Sequence, residues 1–391
     1  MVKKIVSAVI IMAASVLAAS AQIRFRYDVD FSFMFDNREY DRSSFQPSGT
    51  MTGIRLAPAV GFDAALGRTG HRLMAGVDAL SQFGTTDREI QAGLLCWYQL
   101  GMSSGDTSFR LTAGLMPRKM SEGEWSPLFF SDSHKFYDNR LDGLLLSWKR
   151  PKSRFELGLD WMGMYGQSRR EEFMVFASGK ISPLRWLKIG YEAYMLHYAC
   201  SGDVPQVNDN VLAEPYITFD FAPLTGLQAL SLRTGWIQAW QRDRENVGHA
   251  VAPYAGEAVV TLQHWGAGVR NSFVLGRDLM PYGNRIDAAG VPYAGNYYLG
   301  DPFYGLVDPG SAAWKDLADG STSDIRGGLY DRLELYWAPK ICAGLDLRLS
   351  LFFHFHHRQY SGTNQMFTLV FNLDELTSTI KARKAAGNPD R

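Results

Sequence analysis

The feature that most constrains the fold of this sequence is a strict alternation of apolar and polar residues. In IRFRYDVDFSF (23–33) every odd position is apolar or aromatic, and every even position is polar. A period of two residues is typical of a β-strand with one dry face and one wet face. The pattern recurs clearly at 109–116, 154–162, 186–196, 216–221, 230–240, 332–337, 345–355 and 366–373, and more weakly at 53–66, 71–82, 88–100, 140–150, 169–181, 252–264 and 267–279.

These segments number about 16, and most have a length of about 10–14 residues, which exceeds the usual five or six of globular strands and suits tilted strands that cross a membrane. The links that follow even-numbered strands are short: 67–70, 102–106, 151–153, 182–184, 223–226, 264–268 and 339–342. The links that follow odd-numbered strands are mostly longer: 36–52, 82–87, 117–139, 165–169, 199–210, 241–252, 280–325 and 357–363.

Short turns on one rim and long loops on the other are typical of an outer-membrane barrel with periplasmic turns. We therefore predict an all-β fold, a transmembrane antiparallel up-and-down β-barrel of about 16 strands over residues 22–373. A periplasmic β-sandwich or another secreted β-protein is the alternative. Aromatic residues near strand ends would form the interfacial girdles: Trp97, Tyr98, Trp161, Trp186, Trp236, Trp240, Tyr336 and Trp337.

Residues 1–21 have the organisation of a secretory signal peptide. Lys3 and Lys4 precede an apolar run that ends near Leu17, and small residues follow at 19–21. The run falls short of the roughly 20 residues that span a membrane, so we expect cleavage after Ala21 rather than a retained anchor. At the other end, residues 374–391 are polar and predict a periplasmic tail, either a short helix or a disordered end.

Composition excludes several classes of protein. Without Lys3 and Lys4 the chain has 38 basic and 40 acidic residues, which does not indicate a nucleic-acid-binding protein. The three cysteines, Cys96, Cys200 and Cys342, are scattered and odd in number, so no disulfide framework is expected. Beyond the signal no apolar run reaches 18 residues, and no transmembrane helix is predicted.

With these features the chain resembles the porin-type outer-membrane barrels of Gram-negative bacteria. The Gln22 start and the stretch GLMPRKM…FFSD…FYDNRLDGLLLSW (114–148) resemble barrels of Bacteroides-type bacteria most. The sequence departs from the commonest porins at its end, because FTLVFNL is followed by a polar tail instead of ending on an aromatic residue. Phe371 or Leu373 would then serve as the assembly signal. The resemblance also implies a possible homotrimer.

The polar register of the strands predicts the residues that face the interior. They are Arg24, Arg26, Asp28, Asp30, Arg110, Glu156, Asp160, Lys188, Glu192, Asp220, Arg233, Arg332, Glu334, Asp346 and Arg348. Seven are basic and eight are acidic, so no strong ion selectivity is predicted. Two interpretations stay open: a wall that lines a water-filled pore, and a lattice of salt bridges that packs the interior.

The link 117–139 joins the fifth and sixth strands. In porins of this size the loop at that place folds inward, and the resemblance implies that it narrows the pore here. Glu122, Glu124 and Asp132 would then face arginines on the wall, as charge-based selectivity requires. An ordinary surface loop is the alternative.

The longest link, 280–325, is rich in aromatic residues: Tyr282, Tyr293, Tyr297, Tyr298, Phe303, Tyr304 and Trp314. It would form a contact surface for sugars or peptides, or a lid that folds into the barrel mouth. The alternative is a self-packed loop that shields the barrel top or contacts another subunit.

Signatures of catalysis and of metal binding are weak. The sequence has no GxxxxGK[ST], HExxH or CxxC motif, and no GxSxG elbow is expected. His354 and His356 share one face of a strand, but a metal site would need a third ligand. His197 has the register of lipid-facing residues without a motif that ties a serine to it. We predict no catalytic residue, cofactor or metal.

The function that fits best is a passive, porin-like channel for small hydrophilic solutes in the cell outer membrane, in contact with outer-membrane lipid and without nucleic-acid partners. A barrel with a blocked lumen, acting in binding or assembly with a surface polysaccharide or a secretion partner, is the alternative. An enzyme is the third and least supported interpretation.

Overall fold

The computed structural model describes residues 22–41, 48–85, 90–203, 207–244, 250–277, 279, 299–305 and 327–385. The predicted signal peptide and residues 386–391 of the predicted tail lie outside this part of the chain. Within it, no helix is both long and apolar enough to cross a membrane.

The described chain is dominated by β-strands. They are β1 (Gln22–Tyr40), β2 (Gly49–Leu66), β3 (Thr69–Gln82), β4 (Ile90–Ser104), β5 (Thr107–Pro117), β6 (Arg140–Arg150), β7 (Ser153–Gly163), β8 (Glu172–Leu184), β9 (Leu187–Tyr198), β10 (Asn208–Asp220), β11 (Ala229–Asp243), β12 (Tyr254–His264), β13 (Ala267–Arg277), β14 (Gly327–Trp337), β15 (Lys340–Cys342), β16 (Leu345–His356) and β17 (Gln359–Asn372). The short β15 continues β14 after an interruption at Ala338 and Pro339, and both pair with β16. With β14 and β15 counted as one, the described part of the chain therefore forms sixteen barrel strands.

Each barrel strand pairs antiparallel with its neighbours in sequence, and β1 pairs with both β2 and β17. The sheet is thus closed, which leaves no edge whose N–H and C=O groups would lack partners in lipid. The predicted all-β, antiparallel up-and-down barrel of about 16 strands is confirmed.

The two faces of the wall differ as the alternation predicts. On β2, Phe62 is 54% exposed on the outer face, whereas Ala59 is 4% exposed on the inner face. Aromatic pairs on the outer face stack on each other, with Trp236 and Tyr254 at 4.9 Å between ring centroids. Two members of the predicted girdles were wrong: Trp97 and Tyr336 are buried. Their neighbours Tyr98 and Trp337 occupy the outer face, and adjacent strand residues point to opposite faces.

The predicted difference between the two rims has one exception. The link predicted at 357–363 is a tight turn, since β16 ends at His356 and β17 begins at Gln359. His357 and Arg358 have φ values of 49° and 66°. Two central residues with positive φ are typical of a type I′ turn, whose twist fits a hairpin. The prediction failed because neither residue is the Gly or Asn that normally marks such a turn.

The described chain also has three α-helices, α1 (Asp132–Tyr137), α2 (Ala222–Thr225) and α3 (Leu373–Ala385). Two short 3₁₀-helices cover Arg118–Met120 and Pro302–Gly305. Helix α3 includes much of the predicted tail. Asp374 at its start is 3.2 Å from the guanidinium of Arg26 on β1, and its N–H donates to Asp28 at 3.2 Å. The helix thereby begins against the inner face of the wall, at the rim of the short turns.

Candidate functional site

The candidate site is the barrel interior around residues 118–139, which we call the inner loop. Arg118 fixes both of its ends. The guanidinium donates to the Asp138 carbonyl oxygen (2.7 Å) and to the Arg140 carbonyl oxygen (3.0 Å). It also binds the carboxylates of Asp138 (2.6 Å) and Asp160 on β7 (3.2 Å). One side chain thus joins the start of the loop, its end and the wall.

An apolar cluster holds the middle of the inner loop inside the barrel. Leu128, Phe129 and Phe130 are at most 4% exposed. Trp125 packs edge to face on Phe129 and Phe130, at 5.5 and 5.1 Å between centroids, and on Phe176 of β8 at 5.8 Å. Burial of each such side chain is worth about 1.5–3 kcal/mol, so the inward position is strongly favoured. The inner loop is therefore not a surface loop.

The three acidic residues predicted to line the constriction each meet a base on the wall. Glu122 pairs with Arg110 of β5 and, at 3.0 Å, with Lys149 of β6. Asp132 lies 3.2 Å from Arg332 of β14. Glu124 pairs with Lys180 of β8 instead of an arginine. That these residues form the narrowest point of a pore stays a prediction.

These ion pairs affect the protonation of all three acids. Burial raises the pKa of Glu122, but the hydrogen bonds from Lys149 and Arg110 outweigh it, so the pKa is below its ordinary value. The same balance lowers the pKa of Glu124, through Lys180, and that of Asp132, mainly through Arg332. All three are therefore anionic at neutral pH.

For two basic residues of helix α1, His134 and Lys135, burial is the dominant effect and lowers the pKa, which favours the neutral form. Burial, and then the charge of Arg118, lower the pKa of His134 to about 4. The ring is therefore neutral at pH 7 and stacks on Phe130 at 5.6 Å. Burial also lowers the pKa of Lys135. Its Nζ donates to the Trp125 carbonyl oxygen at 3.4 Å, and Lys135 makes no ion pair within the described part of the chain.

Most of the predicted wall residues occur in ion pairs or hydrogen bonds. Lys119 of the inner loop reaches Asp28 and Asp30 on β1, the first at 2.7 Å. Further contacts on the wall are Arg26 with Asp63 (3.2 Å), Lys188 with Asp220 (2.9 Å), Arg348 with Glu334 (2.7 Å), and Arg233 with Glu192 (3.3 Å). Glu156 accepts a hydrogen bond from the Ser178 hydroxyl at 3.1 Å. Arg24 and Asp346 are exposed at the ends of their strands.

Several charged residues of the interior were missed. Arg55 and Asp78 form a buried ion pair, and Arg55 donates to the carbonyl oxygens of Phe136 (2.9 Å) and Tyr137 (2.7 Å). Glu214 and Glu257 are buried on β10 and β12. Arg55, Asp78 and Glu257 lie in segments recognised as strands, so their register would have revealed them. Glu214 precedes the recognised segment 216–221, because the strand begins earlier, at Asn208. The loop residues Arg118, Lys119 and Lys135 carry no such local signal.

Two large cavities flank the inner loop in the part of the barrel that the structure describes. The larger, about 770 Å³, extends to Asp220 and Gln228 near the rim of short turns. The smaller, about 420 Å³, lies between the inner loop and the wall of β1, β14, β16 and β17. Five residues line both cavities: Lys119, Trp125, Lys135, Asn139 and Arg270. The inner loop thus divides the interior without filling it.

A segment of the longest link also lies against the inner loop. The Ser131 N–H donates to the Leu299 carbonyl oxygen (2.9 Å), and the Asp301 N–H donates to that of Pro127 (2.8 Å). Phe303 stacks on His354 at 4.8 Å and on Tyr330 at 5.5 Å. The remaining aromatic residues named for this link lie outside the described residues: Tyr282, Tyr293, Tyr297, Tyr298 and Trp314.

Two of the histidines considered as possible site residues, His354 and His197, are both engaged by neighbouring side chains. His354 is bonded through both ring nitrogens, to the Tyr330 hydroxyl (2.8 Å) and to Asn364 (3.1 Å). His197 pairs with Asp209 at 2.8 Å. Among the described residues no three His, Cys, Asp or Glu are grouped so as to hold a metal ion.

One short pattern was overlooked in the sequence. GMSSG (101–105) fits the G-x-S-x-G spacing of hydrolases. It lies at the end of β4, where Ser103 pairs with Ser108 across a hairpin. The strand–turn–helix context that exposes a nucleophilic serine is absent from this hairpin.

Comparison with known proteins gives the fold. No family model and no curated protein matches the sequence. Among solved structures, a loop-deletion variant of OmpT, an outer membrane protein of Vibrio cholerae, superposes with a TM-score of 0.52 at 8% identity, covering 90% of this chain and 99% of that one. OpdO of Pseudomonas aeruginosa gives a TM-score of 0.47 at 12% identity, covering 89% and 97%.

The sequence identity in these superpositions is too low to carry anything beyond the fold. The apolar outer wall and the closed antiparallel sheet are those of a barrel that spans a membrane. This protein is an outer-membrane β-barrel.

Proposed function

We propose that the chain is a porin-like passive channel that admits small hydrophilic solutes across the outer membrane. The observation that supports this most is the pair of charged cavities on either side of the inner loop, which share five lining residues. Charged side chains facing a dry interior would cost several kcal/mol each, so a wall of this kind fits an interior that holds water.

The size of the cavities fits small solutes. Pockets that bind small molecules have volumes of about 300–1,000 Å³. The cavities of about 770 and 420 Å³ fall in that range, and each has a far smaller volume than the open lumen of a sixteen-stranded barrel. We therefore expect a small, selective conductance instead of a wide pore.

The lining of the two cavities has an excess of positive charge. The basic residues are Arg55, Arg118, Lys119, Lys135, Lys188, Arg233, Arg270, Arg332 and Arg348, and the acidic ones are Asp30, Glu124, Asp132, Asp220 and Glu334. Lys135 and Arg270 make no ion pair in the described part of the chain. The proposal therefore includes a preference for anions over cations, which the balanced count of wall residues did not predict.

Further parts of the proposal rest on the resemblance. Glu122, Glu124 and Asp132 would form the constriction, the relatives would be Bacteroides-type barrels, and the assembly would be a homotrimer. No reaction and no cofactor form part of the proposed function.

Swelling of liposomes that contain the refolded protein tests the proposal. Neutral sugars of increasing size should enter until a sharp size limit, and a small organic anion should enter faster than a cation of equal size. Arg270→Gln should reduce this difference about twofold, because one unpaired charge is removed from the shared lining. Leu94→Met, on the lipid-facing side of β4, is the matched control and should change neither rate.

No swelling with any solute, from protein shown to be folded by its heat-modifiable gel mobility, would contradict the channel. That result would favour the alternative of a blocked barrel that acts in binding or assembly.

A further inference from the structure

Four glutamates form a belt on the inner wall at one level of the barrel. Glu156, Glu192, Glu214 and Glu257 lie on β7, β9, β10 and β12, and each is at most 2% exposed. Ser178 of β8 pairs with both Glu156 and Glu192, and Glu192 lies directly opposite Glu214. We call these four residues the acidic belt.

A glycine completes the belt between Glu214 and Glu257. Gly235 on β11 pairs with Glu257. A Cβ atom at Gly235 would lie 2.1 Å from Oε1 of Glu214. The Glu214 side chain therefore lies directly over the backbone of β11, where only glycine leaves room for it.

Arg233 is the basic residue that contacts the belt most closely. Its Nη2 lies 2.8 Å from Glu214 and 3.3 Å from Glu192. Neither carboxyl oxygen of Glu257 meets a hydrogen-bond donor among the described residues. Glu156 and Glu192, in contrast, each accept hydrogen bonds. Of the four belt glutamates, Glu156 and Glu192 are therefore the two that hold another part of the chain through hydrogen bonds.

Besides Ser178 and Arg233 of the wall, the donors to Glu156 and Glu192 are mainly backbone N–H groups of the inner loop. The N–H of Glu122 donates to Oε1 of Glu156 at 2.7 Å, and the N–H of Ser126 donates to Oε2 of Glu192 at 3.2 Å. Arg233 also approaches the carbonyl oxygen of Glu124 at 3.5 Å. The belt thus binds the tip of the loop, residues 121–126, mainly through backbone N–H groups, and the Ser121 hydroxyl adds one side-chain contact to Oε2 of Glu156 at 3.5 Å.

The bound tip lies between the two cavities. Trp125 lines both, and Ser121, Gly123 and Glu124 line the larger one. Movement of the tip away from the belt would join the cavities into one wider passage.

We propose that the acidic belt is a latch for the inner loop. Glu156 and Glu192 are its positioning residues: they hold the tip across the lumen, and release of the tip widens the passage. Whether release increases solute passage rests on the proposed function, whereas the latch itself does not.

The physical reason is the cost of unpaired backbone groups. If the carboxylates are removed, the N–H groups of Glu122 and Ser126 lose their charge-assisted acceptors. Hydrogen bonds to water, with the tip away from the belt, are then more favourable for these N–H groups. Glutamine keeps an acceptor oxygen but not the charge, so it should weaken the latch less than alanine.

Labelling of a cysteine at the tip measures the latch directly. Ser126→Cys is close in size to the native residue, whose hydroxyl is buried, and it would be placed in a background with Cys96, Cys200 and Cys342 changed to serine. Reaction with a charged methanethiosulfonate should be slow in this parent. It should accelerate about tenfold or more with Glu156→Ala plus Glu192→Ala, since two charge-assisted hydrogen bonds are lost.

The glutamine pair, Glu156→Gln plus Glu192→Gln, should give an intermediate rate. Glu257→Gln is the matched control, because it removes a belt glutamate that has no contact with the tip, and its labelling rate should equal that of the parent. Heat-modifiable mobility confirms a folded barrel in each variant. If the alanine pair fails to fold, the glutamine pair decides alone.

Equal labelling rates in the parent and in a folded latch variant would overturn the latch. Faster labelling together with a larger single-channel conductance supports both the latch and the channel. Faster labelling without current supports the latch and contradicts the proposed channel, so the two failures are distinguishable.

Discussion

The outer wall and the interior of this barrel use the same strands but depend on different contacts. Leu94 on the outer face of β4 is 58% exposed, whereas Leu128 of the inner loop is fully buried. Apart from stacked aromatic pairs such as Trp236 and Tyr254, the outer face presents single apolar side chains to fluid lipid, and each of these acts almost independently of the others. The interior joins residues far apart in sequence, as Arg118 does with Asp138 and Asp160. Substitutions should therefore have local effects outside and cooperative effects inside.

The largest effect is expected for Arg118→Ala. The substitution leaves the carboxylate of Asp160, which is buried, without its cation and removes the tie between the two ends of the inner loop. Breaking a buried pair in this way costs about 3–5 kcal/mol. Urea titration of the barrel refolded in vesicles would measure the free energy of unfolding. A loss below about 1 kcal/mol, as for a surface ion pair, would show that Arg118 is not a central link.

Leu128→Ala and Leu94→Ala compare the two regions directly. Inside, the loss should be about 2–5 kcal/mol, because a cavity adds to the lost transfer free energy. Outside, lipid fills the space, and the loss should be only about 1–2 kcal/mol. The same titration measures both. Equal losses would mean that the inner loop is not close-packed against the wall.

The alternation of residues explains why the wall could be predicted and the interior could not. It specified the faces of β1 and β2, since register along a strand is a local property. It could not show that Lys180, and not an arginine, meets Glu124, because that contact joins residues 56 positions apart. Nor could it show that backbone N–H groups of the loop bind Glu156 and Glu192, since no side-chain pattern encodes such bonds.

Protonation of the buried His134 should make the stability of the interior, in contrast to that of the outer wall, depend on pH. Its pKa is about 4 in the folded protein, against an ordinary histidine value of 6.5, so the unfolded chain binds a proton more readily. The corresponding stability is present above pH 6.5 and is lost as the pH falls toward 4, by about 2–3 kcal/mol. His134→Gln should remove this loss. Unfolding titrations between about pH 7 and pH 4 would measure it, and an identical pH dependence in both proteins would contradict the burial of a neutral ring.

The smallest effect is expected for Glu122→Gln. Glu122 has a lowered pKa, so its stabilisation is present above the pKa of the unfolded chain and is lost as the pH falls through the folded value. Because Lys149 is exposed, the loss at pH 7 should be below about 1 kcal/mol. Thermal unfolding at pH 7 and at pH 3 would show a difference from the parent only at the higher pH. A difference at pH 3 as large as that at pH 7 would contradict the ion-pair explanation.

The most direct test of the central claim is the single-channel conductance of the purified, refolded protein in a planar bilayer. The charged cavities on both sides of the inner loop predict small, stable current steps, with a reversal potential under a salt gradient that indicates a preference for anions. Protein that is folded by its heat-modifiable mobility and yet gives no steps would contradict the channel.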